Sequence, residues 1–301
     1  MQKIAIWLII CMMGTIKLMA CDVCGSASSG QFLGILKDAP ENILSIHYNQ
    51  TVFETRHPPN LFGDEFFPLT EETFRFINLG GKYRISERIN AQASVPIGFI
   101  NQTGYNTRQR GLGDVQLRVN YLLTDQLLGE SMNTLITVVG AGVSIPTGEF
   151  NAIQDFESIN PNLQLGMGAF GFILSAQSTL RIGNSGLNAE LSYRINNEND
   201  EGYRFGNQVN SAVRYFHLFS GETLNHAPLA GLAFEHADRS SSFGEPINIT
   251  GGHKLHLEAG YEFWIQNINF GLSFMLPIHQ ELSEGLVSNQ YQFTTKFLYF
   301  L

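Results

Sequence analysis

From Val115 to Leu123 apolar side chains take every second place, Val115, Leu117, Val119, Tyr121 and Leu123, while Gln116, Arg118 and Asn120 stand between them. A period of two belongs to a strand with one apolar and one polar face. The Gly113-Asp114 pair ahead of it marks a turn. The same alternation recurs along the chain and predicts twelve strands, at 43–53, 73–85, 89–97, 115–123, 134–145, 170–182, 187–195, 205–219, 228–236, 253–264, 268–279 and 291–301. It is strictest near the end, with Leu255, Leu257, Ala259, Tyr261 and Phe263 in one run and Ile268, Phe270, Leu272, Phe274, Leu276 and Ile278 in the next. The intervening stretches rich in Pro, Asn and acids read as loops.

A strand of about 9–11 residues crosses a bilayer when tilted, and a charge on its lipid face near the midplane costs roughly 2–4 kcal/mol. Within the twelve predicted segments the apolar faces carry no charge except Arg75, which is expected at a strand end. Polar faces turned to water and apolar faces turned to lipid describe an all-β, transmembrane, antiparallel up-and-down β-barrel of about 12 strands. An even count puts the first and last strands' outer ends on one rim, with short turns there and long loops opposite.

Composition sharpens this picture. Charged residues make up 15% of the chain, no interior run approaches the ~18 apolar residues of a membrane helix, and 30 Gly and 23 Phe suit turns and aromatic girdles. A secreted β-sandwich is the competing architecture, but it has no need of an uncharged outer face. Residues 1–20 read as a secretion signal, with Lys3 before the apolar core and Ala20 at the cleavage point. Residues 21–42 form an N-terminal periplasmic segment in which Cys21 and Cys24 make a CxxC; a disulfide, lipidation of Cys21 and a soft-metal thiolate site are the alternatives. Part of that segment, 26–41, is a candidate plug, and residues 43–301 are the barrel.

On this register Lys82, Arg84, Arg118, Arg181, Arg194, Arg214, Lys254 and Lys296 point inward, together with Glu190, Glu235, Glu258 and Glu262, which makes the interior net basic although the chain totals −9. Either these groups pair across strands and stiffen a closed barrel, or the cations line a path that prefers anions. His47, His256 and His279 are expected inside with them. His253 and His256 differ by three and face opposite ways, so they make no metal motif, and neither a metal nor a cofactor site is expected. No local signature marks a Ser-His catalytic set, so no enzyme activity or catalytic residue is assigned. The acidic total argues against nucleic acid.

The pieces GLGDVQLRVNYLL, GVSIPTGEFN, PNLQLGMGAFGFIL and GLNAELSYRINNENDEGYRFGN together resemble bacterial outer-membrane proteins grouped as transporters of the phenol-degradation meta-pathway type. The likeness runs from Gly111 to Tyr215; Met167 and Gly171 depart from the pattern. It implies an outer-membrane channel or uptake protein for small, aromatic or hydrophobic, solutes. The alternating aromatic end, Phe293, Phe297, Tyr299 and Leu301, resembles the insertion signal of such barrels, so outer-membrane lipid and the barrel-insertion machinery are the expected partners besides a small solute. The alternatives are a closed structural or adhesion barrel acting through acidic outer loops, or a metal-related outer-membrane protein using the CxxC.

Overall fold

The computed structural model describes residues 42–56, 69–103, 107–128, 133–150, 153–154, 157–158 and 161–301. The expectations for the signal, for Cys21 and Cys24 and for the plug fall outside these residues. Twelve long strands form the wall: β1 (Ile43–Arg56), β2 (Leu69–Arg84), β3 (Ile89–Gln102), β4 (Val115–Leu127), β5 (Thr134–Ile145), β6 (Gly171–Ile182), β7 (Ser185–Asn196), β8 (Gln208–His217), β9 (Asn225–Ala237), β10 (Gly252–Ile265), β11 (Ile268–Leu282) and β12 (Val287–Phe300). Each pairs antiparallel with the next, and β12 closes on β1 from Ile43↔Phe300 to Thr55↔Val287. Closure leaves no strand edge unpaired, which a wall surrounded by lipid requires.

The outer face is apolar. Leu44, Leu117, Leu174, Leu191, Leu257 and Leu276 are all about half exposed, with no hydrophobic layer over them. Exposed Tyr83, Tyr121, Tyr215, Phe270 and Tyr299 ring the short-turn end, and Phe99, Phe172 and Tyr193 lie toward the other. Two aromatic belts around an apolar band are the signature of a barrel seated between two membrane interfaces. The molecule is an outer-membrane β-barrel with short turns such as 183–184 and 266–267 on the rim shared by Asn42 and Leu301, and long loops on the opposite rim.

The strands extend past their predicted ends mainly on the long-loop side, where β1, β2 and β3 add 54–56, 69–72 and 98–102. The wall therefore rises above the apolar band. Glu54 and Glu71, directly opposite each other, sit on that raised part. Arg75 is not at a strand end but seven residues into β2, beside Gln50. Gln50 also faces outward, and its amide is satisfied by the Tyr48 and Tyr291 hydroxyls at 2.8 and 2.9 Å. Val52 shares this outward face yet is only 5% exposed.

One reversal comes from a β-bulge. In β11 the register jumps between His256↔Pro277 and Leu255↔His279, so Ile278 is an extra residue. One added residue moves everything beyond it to the other face. His279, expected inside, is outside against His253, with their Nε2 atoms 3.3 Å apart. The eighth strand also starts later than predicted, because Phe205 is buried in a loop cluster with Met167 and Tyr203.

The lipid-facing assignment has a direct consequence. Leu257 is 51% exposed and lies between exposed Leu232 and Leu276, in the middle of the band. Leu257→Arg should lower the barrel's unfolding free energy by roughly 2–4 kcal/mol in a lipid-refolding titration. An unchanged midpoint would mean that this face is not in lipid.

Candidate functional site: the capped lumen

The inward face is polar along most of its height. It encloses a cavity of about 170 Å³, lined by residues from nearly every strand. On one arc β1 to β4 present His47, Asn49, Asn90, Gln92, Arg118 and Asn120. Opposite them, Ala212 on β8, Ala233 on β9 and Met275 on β11 make a small buried apolar group.

The charges of the lining are equal in number, Lys82, Arg118, Arg214 and Lys296 against Glu190, Glu235, Glu258 and Glu262. Arg214 sits between two of these acids: its Nε donates to Glu258 Oε2 at 2.7 Å and its Nη1 is 3.0 Å from Glu190 Oε2. Lys296 Nζ donates to Glu262, whose other oxygen accepts from Asn269 Nδ2 at 3.2 Å. Lys254 pairs with Glu235 at 3.1 Å. Side chains that leave water together and pair this closely lose far less than single buried charges would.

Of the residues assigned inward from sequence, His47, Lys82, Arg118, Glu190, Arg214, Glu235, Glu258, Glu262 and Lys296 line this cavity. Arg84, Arg181, Arg194, Lys254, His256 and His279 do not. Arg84 is the last residue of β2 and is exposed on the short-turn rim. Arg194 is buried above the cavity, with Nη2 donating to Ser144 Oγ at 2.9 Å. His256 is fully buried in the wall, its Nε2 2.9 Å from Asn289 Oδ1. The expected excess of positive charge is absent from the lining because Arg84, Arg194 and Lys254 lie at other heights or against other partners. Among the described residues no group of three or more His, Cys, Asp or Glu is placed to hold a metal ion.

Above the cavity, loops fold over the long-loop mouth. The segment 161–168 turns down into the barrel, and Leu163 and Leu165 pack with Phe53, Phe74, Phe76, Ile100, Leu282 and Val287. Gly98 makes room for this: a Cβ there would lie 2.5 Å from Leu165 and 2.7 Å from Phe76. A second cluster, Met167, Tyr203 and Phe205 with Phe150 and Ile247, covers the other side. An apolar cap thus sits over a polar lumen.

Asp114 fastens the cap. Its Oδ1 accepts from the Gly148 amide and its Oδ2 from the Met167 amide, both at 3.0 Å. Thr147 Oγ1 donates to Gly113 O and accepts from Val115 N, each at 2.9 Å. Gly148 and Gly166 meet backbone to backbone, and a Cβ on Gly166 would lie 2.5 Å from Gly148's carbonyl. Asn199 Nδ2 then holds the Met167 carbonyl at 3.1 Å, while its Oδ1 takes the amides of Glu201 and Tyr203. The segments Gly-Leu-Gly-Asp, Pro-Thr-Gly, Leu-Gly-Met-Gly and the Asn-rich loop, distant in sequence, converge on this clasp. Sequence reading treated Asp114 as a turn residue only; its acidic group following two glycines was the available signal.

Burial raises the Asp114 carboxyl above its ordinary 3.8, against the pull of the Met167 and Gly148 amides and the charge of Arg194. The closed cap therefore holds the Asp114 proton more tightly than an opened one would. By linkage the proton it binds adds to closure at low pH, and that addition is lost as pH rises through the raised, closed-cap value, leaving the two amide bonds to hold the cap at neutral pH. Opening of the cap, read as ionic current through the barrel, should become rarer as pH is lowered from neutrality toward that value, and Asp114→Asn should remove this dependence.

No family model and no curated protein matches the chain. Among solved structures it is similar to an outer-membrane channel from Pseudomonas putida F1, at 13% identity and a TM-score of 0.64, covering 89% of this chain and 98% of that one. It is also similar to the beta domain of the Bordetella autotransporter BrkA, at 12% identity and a TM-score of 0.51, covering 87% and 100%. At these identities the likeness establishes a shared barrel fold. A twelve-stranded outer-membrane barrel is what the chain's own alternation had called for.

Proposed function

We propose that the chain is a gated outer-membrane channel that admits small organic solutes, in the closed state here, with the Asp114 clasp as its latch. The observation that carries this reading is a polar cavity within a closed barrel, covered on one side by loops that fold over the mouth and pack onto the inner wall through Leu163 and Leu165. A purely structural barrel has no need of a cavity lined by His47, Asn90, Gln92, Arg118 and Asn120. The mixed lining, apolar at Ala212, Ala233 and Met275, suits solutes with a hydrophobic or aromatic body. The neighbour from Pseudomonas putida is described as a channel, which supports the same reading.

The test is solute entry into liposomes holding the purified, refolded protein. Swelling should follow small aromatic and aliphatic solutes and fall off steeply with size. A barrel that folds and inserts but admits none of them, wild-type or with the clasp removed, would point to the closed structural or adhesion role, in which the paired charges serve only to stiffen the wall.

A further inference from the structure

We infer that Arg118 is the anchoring group for a monocarboxylate whose remaining body is apolar. The inference rests on the channel reading and narrows its solute class. Arg214 and Lys296, which line the same cavity, are bound to carboxylates of the wall. Arg118 is not: among the described residues it makes no hydrogen bond and has no carboxylate within 4.0 Å, and its Nε is shut off from solvent without an acceptor. Glu190 is the acid whose charge reaches it, and that carboxylate is already held by Arg214.

A guanidinium with unmet donors, facing a cavity, is matched by a planar two-oxygen acceptor, and Arg–carboxylate pairs are commonly bidentate. A second donor stands one strand away. Asn90 Oδ1 accepts from Asn120 Nδ2 at 2.8 Å, which leaves the Asn90 Nδ2 group for the cavity it lines. Beside Arg118 on β5 are Gly142 and Gly140, so no side chain from that strand covers it.

The rest of the lining selects among anions. Across the barrel the lining turns apolar at Ala212, Ala233 and Met275, which rewards apolar surface and gives nothing to chloride or phosphate. Arg214, Lys254 and Lys296 are bound to Glu190, Glu258, Glu235 and Glu262 of the wall and so are not on offer to a second carboxylate. One carboxylate on a hydrophobic frame satisfies all three conditions.

Benzoate and its neutral analogue benzamide are the probes, titrated calorimetrically into the detergent-folded full chain, with KCl current through the same preparations in planar bilayers. Wild-type protein should bind benzoate at least tenfold more tightly than benzamide. Arg118→Gln should lose at least tenfold in benzoate affinity and leave benzamide unchanged, whereas Arg118→Lys should keep part of the benzoate affinity. Wild-type protein that does not prefer benzoate, or Arg118→Gln that binds it equally well, overturns the inference. Current and binding separate the two readings: binding that depends on Arg118 in a barrel without KCl current sustains the subsite and removes the channel, and current without that binding does the reverse.

Discussion

Asp114→Ala should convert brief, infrequent openings into long-lived open states, with several-fold more current per channel at steady state. The change removes the acceptor of two loop amides at once, those of buried Met167 and half-buried Gly148. A buried N–H left without a partner costs on the order of 1–3 kcal/mol, and the half-buried one adds less; together they are enough to reverse a cap equilibrium of a few kcal/mol. The barrel does not depend on these bonds, so thermal unfolding of the wall should move little. Gly166→Val should have the same effect by a different route, because its side chain would meet Gly148's carbonyl. Variants that open the channel no more than wild type would show that the loops are not the gate.

Arg214→Ala should be the most destabilising single change inside the lumen. It leaves Glu190 and Glu258 facing each other without the cation that separates them, and removing one partner from a buried pair typically costs about 3–5 kcal/mol. The expected result is a marked fall in the temperature at which heat-modifiable migration is lost, with partial recovery in the triple variant Arg214→Met, Glu190→Gln, Glu258→Gln. That recovery distinguishes stranded charge from lost packing. Arg118→Gln, by contrast, removes no wall ion pair and should leave that temperature nearly unchanged.

The barrel was legible because each strand carries its own evidence: alternation assigns faces without knowledge of neighbours, and it placed Lys82, Arg118, Glu190, Arg214, Glu258 and Glu262 on the side the structure turns to the cavity. Where a strand's count is interrupted, the same logic misleads. His279 lies on the outer face because Ile278 is one residue too many, and nothing in a single strand announces that. Height was the second blind spot. Arg84 has inward parity but ends its strand at the rim, and Arg194 has inward parity but lies above the cavity. The clasp was the third, since it joins Asp114 to amides 34 and 53 residues away, and backbone donors leave no trace in residue identity.

Pairing followed from register, which alternation does not supply. Arg214 reaches Glu190 on β7 and Glu258 on β10 because Ala212 and Gly231, small residues at the intervening positions, leave the space between them open. A sequence count of inward charges therefore predicted a basic lumen, whereas the structure matches most of these charges in place and leaves Arg118 apart.

Current through single molecules in a planar bilayer tests the central claim most directly. The account predicts discrete conducting steps for the wild-type barrel, short and sparse at neutral pH, rarer still as pH falls, and prolonged by Asp114→Ala. A correctly folded, heat-modifiable barrel that passes no current in either form would contradict it.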